Sequence, residues 1–322
     1  ITEILDSIGN VTYIDDPSSD EVISIIGNFN AIYTNPNKSK VFIGKELLDA
    51  GQQLKVICTA STGTNHIDKA YVKKLGLSIL SITEERDVIK RISSTAELAF
   101  SLTLASLRHV VKAHQAVLNG GWDYEKYIGR QMNFLTIGVI GYGRLGSMYS
   151  KFCKSFDSRI LVYDPYQRVL DQEIEQVDDL DHLFRESDVI AIHVHVTDET
   201  TGMLKKSCFD KMKKDVVLVN TSRGDIVNES DLVKFLKDNS EARIATDVLA
   251  DEIRDRDNSP LLEYARKSEQ VIITPHIGGM SLEAQEIAYG HVAKMLVNFF
   301  DKNNKKNTES CRPAFTSIKQ GK

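Results

Sequence analysis

The chain has 322 residues, 42% of them hydrophobic and 26% charged, with a formal net charge of -5 at pH 7. This composition is typical of a globular protein that is long enough for two domains. It argues against nucleic acid or an anionic membrane as the main partner, and no apolar run approaches the ~18 residues of a membrane span.

Short β-rich runs alternate with helical patterns from the start of the chain, which is typical of parallel α/β architecture. The first series consists of VTYIDD (11–16), AIYTNP (31–36), LKVICTA (54–60) and LSILSI (77–82). A long helical pattern follows over 95–120, where apolar residues recur at three- and four-residue spacing. This part of the chain predicts a first domain of four or five strands.

A second series of apolar runs predicts a larger domain of six strands. These runs are FLTIGVIGY (134–142), RILVYDP (159–165), VIAIHVHV (189–196), VVLVNTS (216–222), RIATDV (243–248) and VIITPH (271–276). Near-continuous apolar strands are expected when helices cover both faces of a sheet. A last helical pattern over 281–303 leads back to the first domain. We predict an α/β fold of two Rossmann-like domains, with a doubly wound parallel sheet (103–282) inserted into a smaller flavodoxin-like domain (1–102 and 283–322).

A glycine-rich turn lies between the first strand of the second series and a helical pattern. Gly141, Gly143 and Gly146 form G-x-G-x-x-G, with Arg144 and Leu145 inside the motif. Alone this hexapeptide is a weak signal, but its strand–turn–helix context is that of a dinucleotide site. The glycines allow close approach of a pyrophosphate and of the helix, whose N-terminus offers free N–H groups to the phosphates.

The strand that follows ends at Asp164, about twenty residues beyond the glycines. A carboxylate at that distance accepts hydrogen bonds from the adenosine ribose and repels a 2′-phosphate, which favours NAD over NADP. The alternative is that Asp164 only caps a turn before Pro165.

Three chemically capable residues follow later strands: Arg223, Glu252 and His276. In an open parallel sheet, ligands bind beyond the carboxyl ends of the strands. Hydride transfer to a ketone requires a proton donor, and histidine suits this because its pKa lies near neutrality. A carboxylate on the other ring nitrogen fixes the tautomer, and an arginine fork matches a substrate carboxylate. The three residues supply these parts.

At these positions the chain resembles the D-isomer-specific 2-hydroxyacid dehydrogenase family. The similar segments occur in the family's order and cover most of the chain. They are TGTNHID (62–68), TAEL (95–98), GVIGYGRLG (138–146), YDP (163–165), VNTSRGDIVNESDL (219–232), ATDVLADE (245–252), SPLL (259–262) and TPHIGG (274–279). Together they are far more specific than any one of them.

The resemblance implies a role for each member of the catalytic set. His276 would be the acid/base, Glu252 its partner and Arg223 the substrate anchor. The loop Thr62, Gly63 and Thr64 would present backbone N–H groups to the substrate carboxylate.

The resemblance also implies further contacts to NAD. Asp247 would contact the nicotinamide carboxamide, and Thr221 and Ser222 would contact the cofactor. His195 stands where the family usually has proline, so it either contacts cofactor or substrate or caps a strand end.

The largest departure from the family pattern is the segment ITEERDVIKRISS (82–94), which is longer than the family's usual connection and lacks its proline-glycine. By the resemblance it borders the substrate pocket. Lys90 and Arg91 either bind a second anionic group or are solvated helix residues. A second departure is Asn65-His66, which replaces the family's usual Asp-Asn.

The sequence therefore predicts an enzyme that interconverts a 2-keto acid and a D-2-hydroxy acid with NAD(H). Two alternatives stay open: a phosphoglycerate-type dehydrogenase with a phosphorylated substrate, and an NADH-sensing corepressor-like protein. The resemblance implies a homodimer formed through the NAD-binding domain. Four scattered cysteines without a C-x-x-C pair predict reduced thiols, no metal and a cytoplasmic location. The amino terminus has no signal-peptide pattern.

Overall fold

A computed structural model describes residues 1–34, 41–64, 66–253 and 255–309, with side chains up to residue 302. The chain divides into two compact units. The first comprises Ile1–Arg91 and the chain from Gln285 onward, and the second comprises Ile92–Ala284. Both sheets are parallel and both units contain helices, so the predicted α/β class is confirmed.

The first unit contains a three-stranded parallel sheet in the order β1-β2-β3. Its strands are β1 (Ala31–Thr34), β2 (Val56–Thr59) and β3 (Ser78–Ser81). All four residues of the central strand are buried, and Ile57 packs with Ile43, Leu47 and Val72 in the core. The helices are α1 (Thr2–Asp6), α2 (Ser19–Ile25), α3 (Lys45–Ala50), α4 (Lys69–Lys74) and α5 (Arg86–Ile89).

The strand predicted over 11–16 is wrong. Val11, Tyr13 and Ile14 are exposed, so the segment has no apolar face buried against a sheet. Asp16 has φ +48, a left-handed conformation that does not belong to an extended strand. The neighbouring strand prediction, 31–36, ends at Thr34, and residues 35 and 36 lie outside the described residues.

The second unit contains a seven-stranded parallel sheet in the order β10-β9-β8-β7-β4-β5-β6. Its strands are β4 (Thr136–Ile140), β5 (Arg159–Tyr163), β6 (Glu175–Gln176), β7 (Val189–Ile192), β8 (Val217–Asn220), β9 (Arg243–Thr246) and β10 (Val271–Ile273). The order reverses at β4, where the chain goes first to β5 and then across to β7. This is the doubly wound arrangement whose switch point holds ligands in other α/β proteins.

Helices cover both faces of this sheet, which explains its continuous apolar strands. On β7, Val189 and Ala191 belong to one core cluster, while Ile190 and Ile192 belong to another. The helices are α6 (Ser94–Leu107), α7 (Val110–Leu118), α8 (Arg144–Lys154), α9 (Leu180–Glu186), α10 (Lys206–Phe209), α11 (Glu229–Asp238) and α12 (Pro260–Ala265).

The helical pattern over 95–120 forms two helices rather than one. His109 lies between them with φ +53 and is buried. A left-handed residue cannot continue a right-handed helix, so α6 ends at Leu107 and α7 begins at Val110. The predicted domain boundary at 102/103 falls inside α6, whereas the compact units divide between residues 91 and 92, because α6 packs against α8, β8 and β9.

The last helix, α13 (Leu282–Glu309), begins at the end of the second unit and continues in the first. Among the residues that the structure describes, this helix included, none of the helices is both long enough and apolar enough for a bilayer. Residues 310–322 lie outside that set.

Candidate active site

Loops after four strands of the second unit carry the glycine turn and the three predicted catalytic residues. The glycine turn follows β4, Arg223 follows β8, Glu252 follows β9 and His276 follows β10. Because these strands are parallel, their carboxyl ends lie at one edge of the sheet. The glycine turn and the three predicted catalytic residues therefore follow strands that end at the same edge of the sheet, as the sequence predicts.

His276 and Glu252 form a side-chain pair. His276 Nδ1 lies 2.5 Å from Glu252 Oε1, and each side chain is about one-quarter exposed, at 26% and 21%. A hydrogen bond within its own loop orients Glu252, because its Oε2 accepts the backbone N–H of Leu249 at 3.2 Å. The pairing occupies Nδ1 of the imidazole and leaves Nε2 as the ring nitrogen that can meet a ligand.

Asp247 organises the turn that carries His276. Its Oδ1 accepts the Thr274 hydroxyl at 2.5 Å and the Ile277 N–H at 2.9 Å, and its Oδ2 accepts the Gly278 N–H at 2.7 Å. The backbone N–H of His276 donates to the Asp247 carbonyl at 2.9 Å. Burial raises the pKa of Asp247, while these hydrogen bonds act in the opposite direction.

The sequence did not reveal this role of Asp247. The prediction assigned its carboxylate to the nicotinamide, which stays a prediction, and overlooked its bonds to the turn. A carboxylate directly after an apolar strand, in ATDV, was the available signal. A buried carboxylate in such a place needs partners, and the adjoining loops supply them.

Arg223 lies on the loop after β8 and is partly buried. Its Nη1 donates to the carbonyl of Ser222 at 2.6 Å. The side chain of Asn220 shapes this loop: its Nδ2 donates to the Arg223 carbonyl at 2.9 Å, and its Oδ1 accepts the Ser222 N–H at 3.0 Å. Burial lowers the pKa of Arg223, whereas the carboxylates of Glu252 and Asp225 raise it. The structure thus brings Arg223 into electrostatic range of Glu252.

Glu229 is a second organising residue that the sequence did not reveal. It is buried, its Oε1 accepts the Ala250 N–H at 2.8 Å, and its Oε2 accepts the Ser259 hydroxyl at 2.6 Å. Both partners belong to the loop that carries Glu252. Acidic residues are common in the first turn of exposed helices, so a glutamate at the first position of α11 gives no sign in the sequence that it is buried.

The glycine turn leaves room where a dinucleotide requires it. Gly141 has φ +92, and a side chain there would meet the His193 carbonyl oxygen at 2.7 Å. A side chain at Gly146 would collide with the Gly141 carbonyl. At Gly143, the N-cap of α8, no atom lies within 4 Å of the position that a Cβ would take. Gly141 and Gly146 are therefore required by packing, whereas Gly143 faces space that a ligand can fill.

Asp164 holds the glycine turn from the end of β5. Its Oδ2 accepts the Tyr142 N–H at 2.7 Å, and its Oδ1 accepts the N–H groups of Tyr166 and Gln167 at 2.8 and 2.9 Å. The turn-capping interpretation of Asp164 is thus part of its role. A carboxylate has about four acceptor positions, so one remains for a ribose hydroxyl.

The other predicted cofactor residues differ in whether their side chains already have hydrogen-bond partners. Arg144 Nη1 donates to the Ile92 carbonyl, and burial lowers its pKa. Leu145 is half-buried in the first turn of α8. The Ser222 hydroxyl donates to the Ile192 carbonyl at 2.8 Å. The Thr221 hydroxyl is buried without a hydrogen-bond partner among the described residues, so a bound ligand could satisfy it.

His195 has an exposed position beyond β7. Its carbonyl accepts the Thr200 hydroxyl at 2.6 Å, so its backbone caps the turn that begins at Thr197. This contact involves the backbone and not the imidazole, so capping of the strand end by His195 stays a prediction. Ligand contact by the imidazole stays a prediction.

The predicted carboxylate loop belongs to the first unit. The Gly63 N–H donates to Ser61 Oγ at 3.0 Å, and the Thr62 carbonyl accepts the Thr83 hydroxyl at 3.0 Å. Thr64 is half-buried. Asn65, one of the two departures in this loop, lies outside the described residues, and the adjoining His66 is buried.

The unusual segment 82–94 forms the short helix α5 and then leads into α6. Lys90 is 69% exposed and lies 3.5 Å from Asp87 Oδ1, and Arg91 is exposed. These observations agree with the solvated interpretation of the two basic residues.

Comparisons with known proteins give one consistent result. The family model described as "D-isomer specific 2-hydroxyacid dehydrogenase, NAD binding domain" matches residues 100–278. A hydroxypyruvate reductase of Thermotoga maritima is 32% identical over 269 residues, which are 83% of this chain and 83% of that protein. A D-3-phosphoglycerate dehydrogenase of Archaeoglobus fulgidus is 35% identical over 87% of this chain, which spans only 51% of that protein.

The fold comparison agrees with the sequence comparisons. A D-lactate dehydrogenase from Aquifex aeolicus, solved with NAD and lactic acid, is similar with a TM-score of 0.77 and 28% identity. The similarity covers 98% of this chain and 96% of that one.

Proposed function

The chain belongs to the D-isomer specific 2-hydroxyacid dehydrogenase family, and from this premise we propose that it interconverts a 2-keto acid and a D-2-hydroxy acid with NAD(H). The observation that carries the proposal is the His276–Glu252 pair, at 2.5 Å, on the sheet edge that also carries Arg223 and the glycine turn. A proton donor, a fixed carboxylate and a cation are the parts that carbonyl reduction needs.

The residues present fit NAD. The turn Gly141–Gly146 and the N-terminus of α8 would hold the pyrophosphate, and Asp164 would accept a ribose hydroxyl. Thr221, with its buried hydroxyl, Ser222 and Asp247 would line the remainder of the cofactor site. When bound, the nicotinamide supplies or accepts the hydride.

The protein's own chemistry is proton transfer and substrate positioning. His276 Nε2 donates a proton to the carbonyl oxygen during reduction and takes it back during oxidation. Glu252 holds the tautomer through Nδ1. Arg223 binds the substrate carboxylate and polarises the carbonyl group. The family resemblance assigns carboxylate binding also to backbone N–H groups of the loop Thr62, Gly63 and Thr64, in which the Gly63 N–H already donates to Ser61 Oγ.

The test is turnover and cofactor binding measured on the same variant. His276→Gln should reduce the rate of NADH oxidation with a panel of 2-keto acids by more than about 10³-fold, while the Kd for NADH, from quenching of protein fluorescence, stays within twofold. Retained turnover would exclude His276 as the acid/base. NADH binding by the wild-type chain without turnover of any 2-keto acid would favour the corepressor-like alternative.

A phosphorylated substrate is the second candidate. It is supported by the 35% identity to a D-3-phosphoglycerate dehydrogenase, although Lys90 and Arg91 are exposed. A competition assay between phosphorylated and unphosphorylated 2-hydroxy acids, which compares their kcat/KM values, decides between the two substrate classes. A kcat/KM no higher for the phosphorylated compound would remove this candidate.

We also propose a homodimer formed through the second unit. The stretch 110–134 of that unit carries large exposed apolar side chains, which a monomer rarely leaves uncovered. They are Val110, Val111, Val117, Leu118, Trp122, Tyr124, Ile128 and Phe134. Sedimentation should give twice the chain mass for the wild type, and Trp122→Asp should shift it toward the monomer. A monomeric wild type at micromolar concentration would exclude the dimer.

We propose a reduced, cytoplasmic environment, because the described cysteines are free thiols. Cys58 and Cys153 are buried free thiols, and burial raises the pKa of each to about 12. Thiols of that kind are unreactive. Cys311 lies outside the described residues.

A further inference from the structure

The segment that departs most from the family pattern contacts the loop proposed to bind the substrate carboxylate. Thr83, near the start of that segment, donates its hydroxyl hydrogen to the carbonyl oxygen of Thr62 at 3.0 Å. Both residues belong to the first unit. The sequence separation of 21 residues makes this a tertiary contact rather than a local turn.

This contact fixes the orientation of one peptide group. The carbonyl of Thr62 and the N–H of Gly63 belong to the same planar peptide and point in opposite directions. Thr83 holds the carbonyl end, and Ser61 Oγ accepts the N–H end at 3.0 Å. A rotation of this peptide would break both hydrogen bonds, so the direction of the Gly63 N–H depends on Thr83.

Thr83 is itself held in place by its neighbours. The Ser81 hydroxyl donates to Thr83 Oγ1 at 3.0 Å, and the Thr83 N–H donates back to Ser81 Oγ at 3.4 Å. The Glu85 N–H donates to the Ile82 carbonyl at 3.0 Å and closes a turn around Thr83. The hydroxyl therefore has a defined position although the residue is exposed.

The far end of this turn is tied to α13. Glu85 Oε2 lies 3.0 Å from His291 Nε2, with the two side chains 37% and 31% exposed. Two residues earlier on α13, the Tyr289 carbonyl accepts the hydroxyl of Tyr33 at 2.7 Å. Since Tyr33 lies on β1, the helix that holds Glu85 is fixed to the sheet of the first unit.

We propose that Thr83 is a positioning residue that holds the Thr62–Gly63 peptide in place, so that the N–H groups of Thr62 and Thr64 on either side of it bind the carboxylate of a 2-keto acid. Glu85 and His291 act through it by holding the turn. The proposal rests on the proposed function and assigns a task to a segment that the family pattern does not supply. It predicts that residues 81–85 set affinity for the carboxylate without taking part in proton or hydride transfer.

Steady-state kinetics of Thr83→Val test this assignment. Valine keeps the shape and removes the donor, so KM for the 2-keto acid should rise about 3- to 10-fold, with kcat and KM for NADH within twofold. Thr83→Ser, which keeps the hydroxyl, should restore KM. Thr12→Val, an exposed threonine of the same unit, is the matched control. An unchanged KM in Thr83→Val, or a fall in kcat instead, would overturn the proposal.

A double-variant comparison tests the role of Glu85 and His291. Glu85→Gln alone should raise KM in the same direction as Thr83→Val. Combined with Thr83→Val it should add less than about 1.5-fold, because it acts through a contact that is already lost. Fully multiplicative effects would show that Glu85 acts independently and would overturn the coupling.

A measurement without turnover separates this inference from the proposed function. In a sample labelled with 15N-glycine, the Gly63 amide is identified by its loss in Gly63→Ala. It should shift in Thr83→Val and return to its position in Thr83→Ser. If this pattern holds but the wild type reduces no 2-keto acid, the proposed function fails while the peptide orientation stands. If the wild type is active and the Gly63 amide is unchanged in Thr83→Val, the inference fails alone.

Discussion

Replacing Asp188 with asparagine should destabilise the second unit without affecting its chemistry. Asp188 precedes β7, at the amino end of the strands, whereas the candidate active site lies beyond their carboxyl ends. Its carboxylate accepts the Thr136 N–H at 2.8 Å and lies 3.0 Å from Lys213 Nζ and 3.1 Å from Arg130 Nη2. Asparagine keeps the shape and one acceptor but loses the charge that two cations share.

The expected loss of unfolding free energy follows from those partners. The bond to Thr136 should weaken by about 1 kcal/mol when its acceptor loses its charge. Lys213 and Arg130 are 35% and 42% exposed, so solvent screening limits each pair to roughly 0.5 kcal/mol. The sum, about 2 kcal/mol, corresponds to a fall of about 4–8 °C in Tm for a domain of this size.

The loss should also depend on pH in a defined direction. Burial acts to raise the pKa of Asp188, but the Thr136 N–H, Lys213 and Arg130 outweigh it, so the folded-state pKa is lowered. A lowered pKa means that the stabilisation is complete above the unfolded value, near ~4, and is lost as pH falls through the folded value. The Tm difference between wild type and variant should be constant from about pH 8 to 5 and shrink below about pH 4.

Differential scanning fluorimetry at a series of pH values measures the Tm of each variant, and a binding measurement at 25 °C gives its affinity for NADH. Asp178→Asn is the control, because Asp178 is an exposed aspartate of the same unit and should change Tm by less than about 2 °C. A Tm difference for Asp188→Asn that persists unchanged at pH 3 would refute the charge-based explanation. A tenfold weaker NADH affinity would refute the separation of this cluster from the active site.

Three further predictions concern the site itself. Glu252→Gln should lower kcat/KM for reduction about 10²- to 10³-fold with an unchanged Kd for NADH, and activity above half of wild type would contradict its pairing role. Arg223→Lys keeps the charge but loses the planar fork, so KM for the 2-keto acid should rise about tenfold or more; an unchanged KM would argue against substrate anchoring. Gly143→Ala should keep Tm while weakening NADH binding at least about tenfold. Gly141→Ala should lower Tm as well, because the strained backbone costs the folded state about 1–2 kcal/mol. Equal Tm losses for both would contradict the different packing of the two glycines.

The sequence predicted six of the seven strands of the second unit because each of the six contains consecutive apolar residues. β7 and β8 are buried on both faces, so nearly every residue had to be apolar. The two-residue β6, Glu175–Gln176, was missed because its side chains are exposed and leave no apolar signal. The helix break at His109 was missed for a related reason, since Arg108-His109 contains neither the glycine nor the proline that usually marks a break.

The candidate site could be predicted from the sequence where the proposed chemistry requires a particular residue type. It could not be predicted where the partners of a side chain are backbone groups. A glycine turn, an arginine and a histidine after strands are visible in the letters of the sequence. Asp247 and Glu229 bind N–H groups of loops that come later in the chain, and N–H groups are present at nearly every residue. The contact of Thr83 with the Thr62 carbonyl was hidden in the same way, because only the fold determines which carbonyl lies beside the hydroxyl.

The left-handed backbone of His276 lowers the stability of the fold at the same residue that we propose as the proton donor. Of the five non-glycine residues with positive φ in the described parts of the chain, Asp251 and His276 flank or form the pair with Glu252. Such a conformation costs a non-glycine residue about 1 kcal/mol or more, whereas glycine or asparagine adopts it readily. A search for heat-resistant variants that ignored catalysis would therefore favour loss of the imidazole. Directed evolution of this protein for thermostability needs an activity screen in every round, because glycine or asparagine at position 276 would relieve the backbone cost and remove the proton donor that we propose.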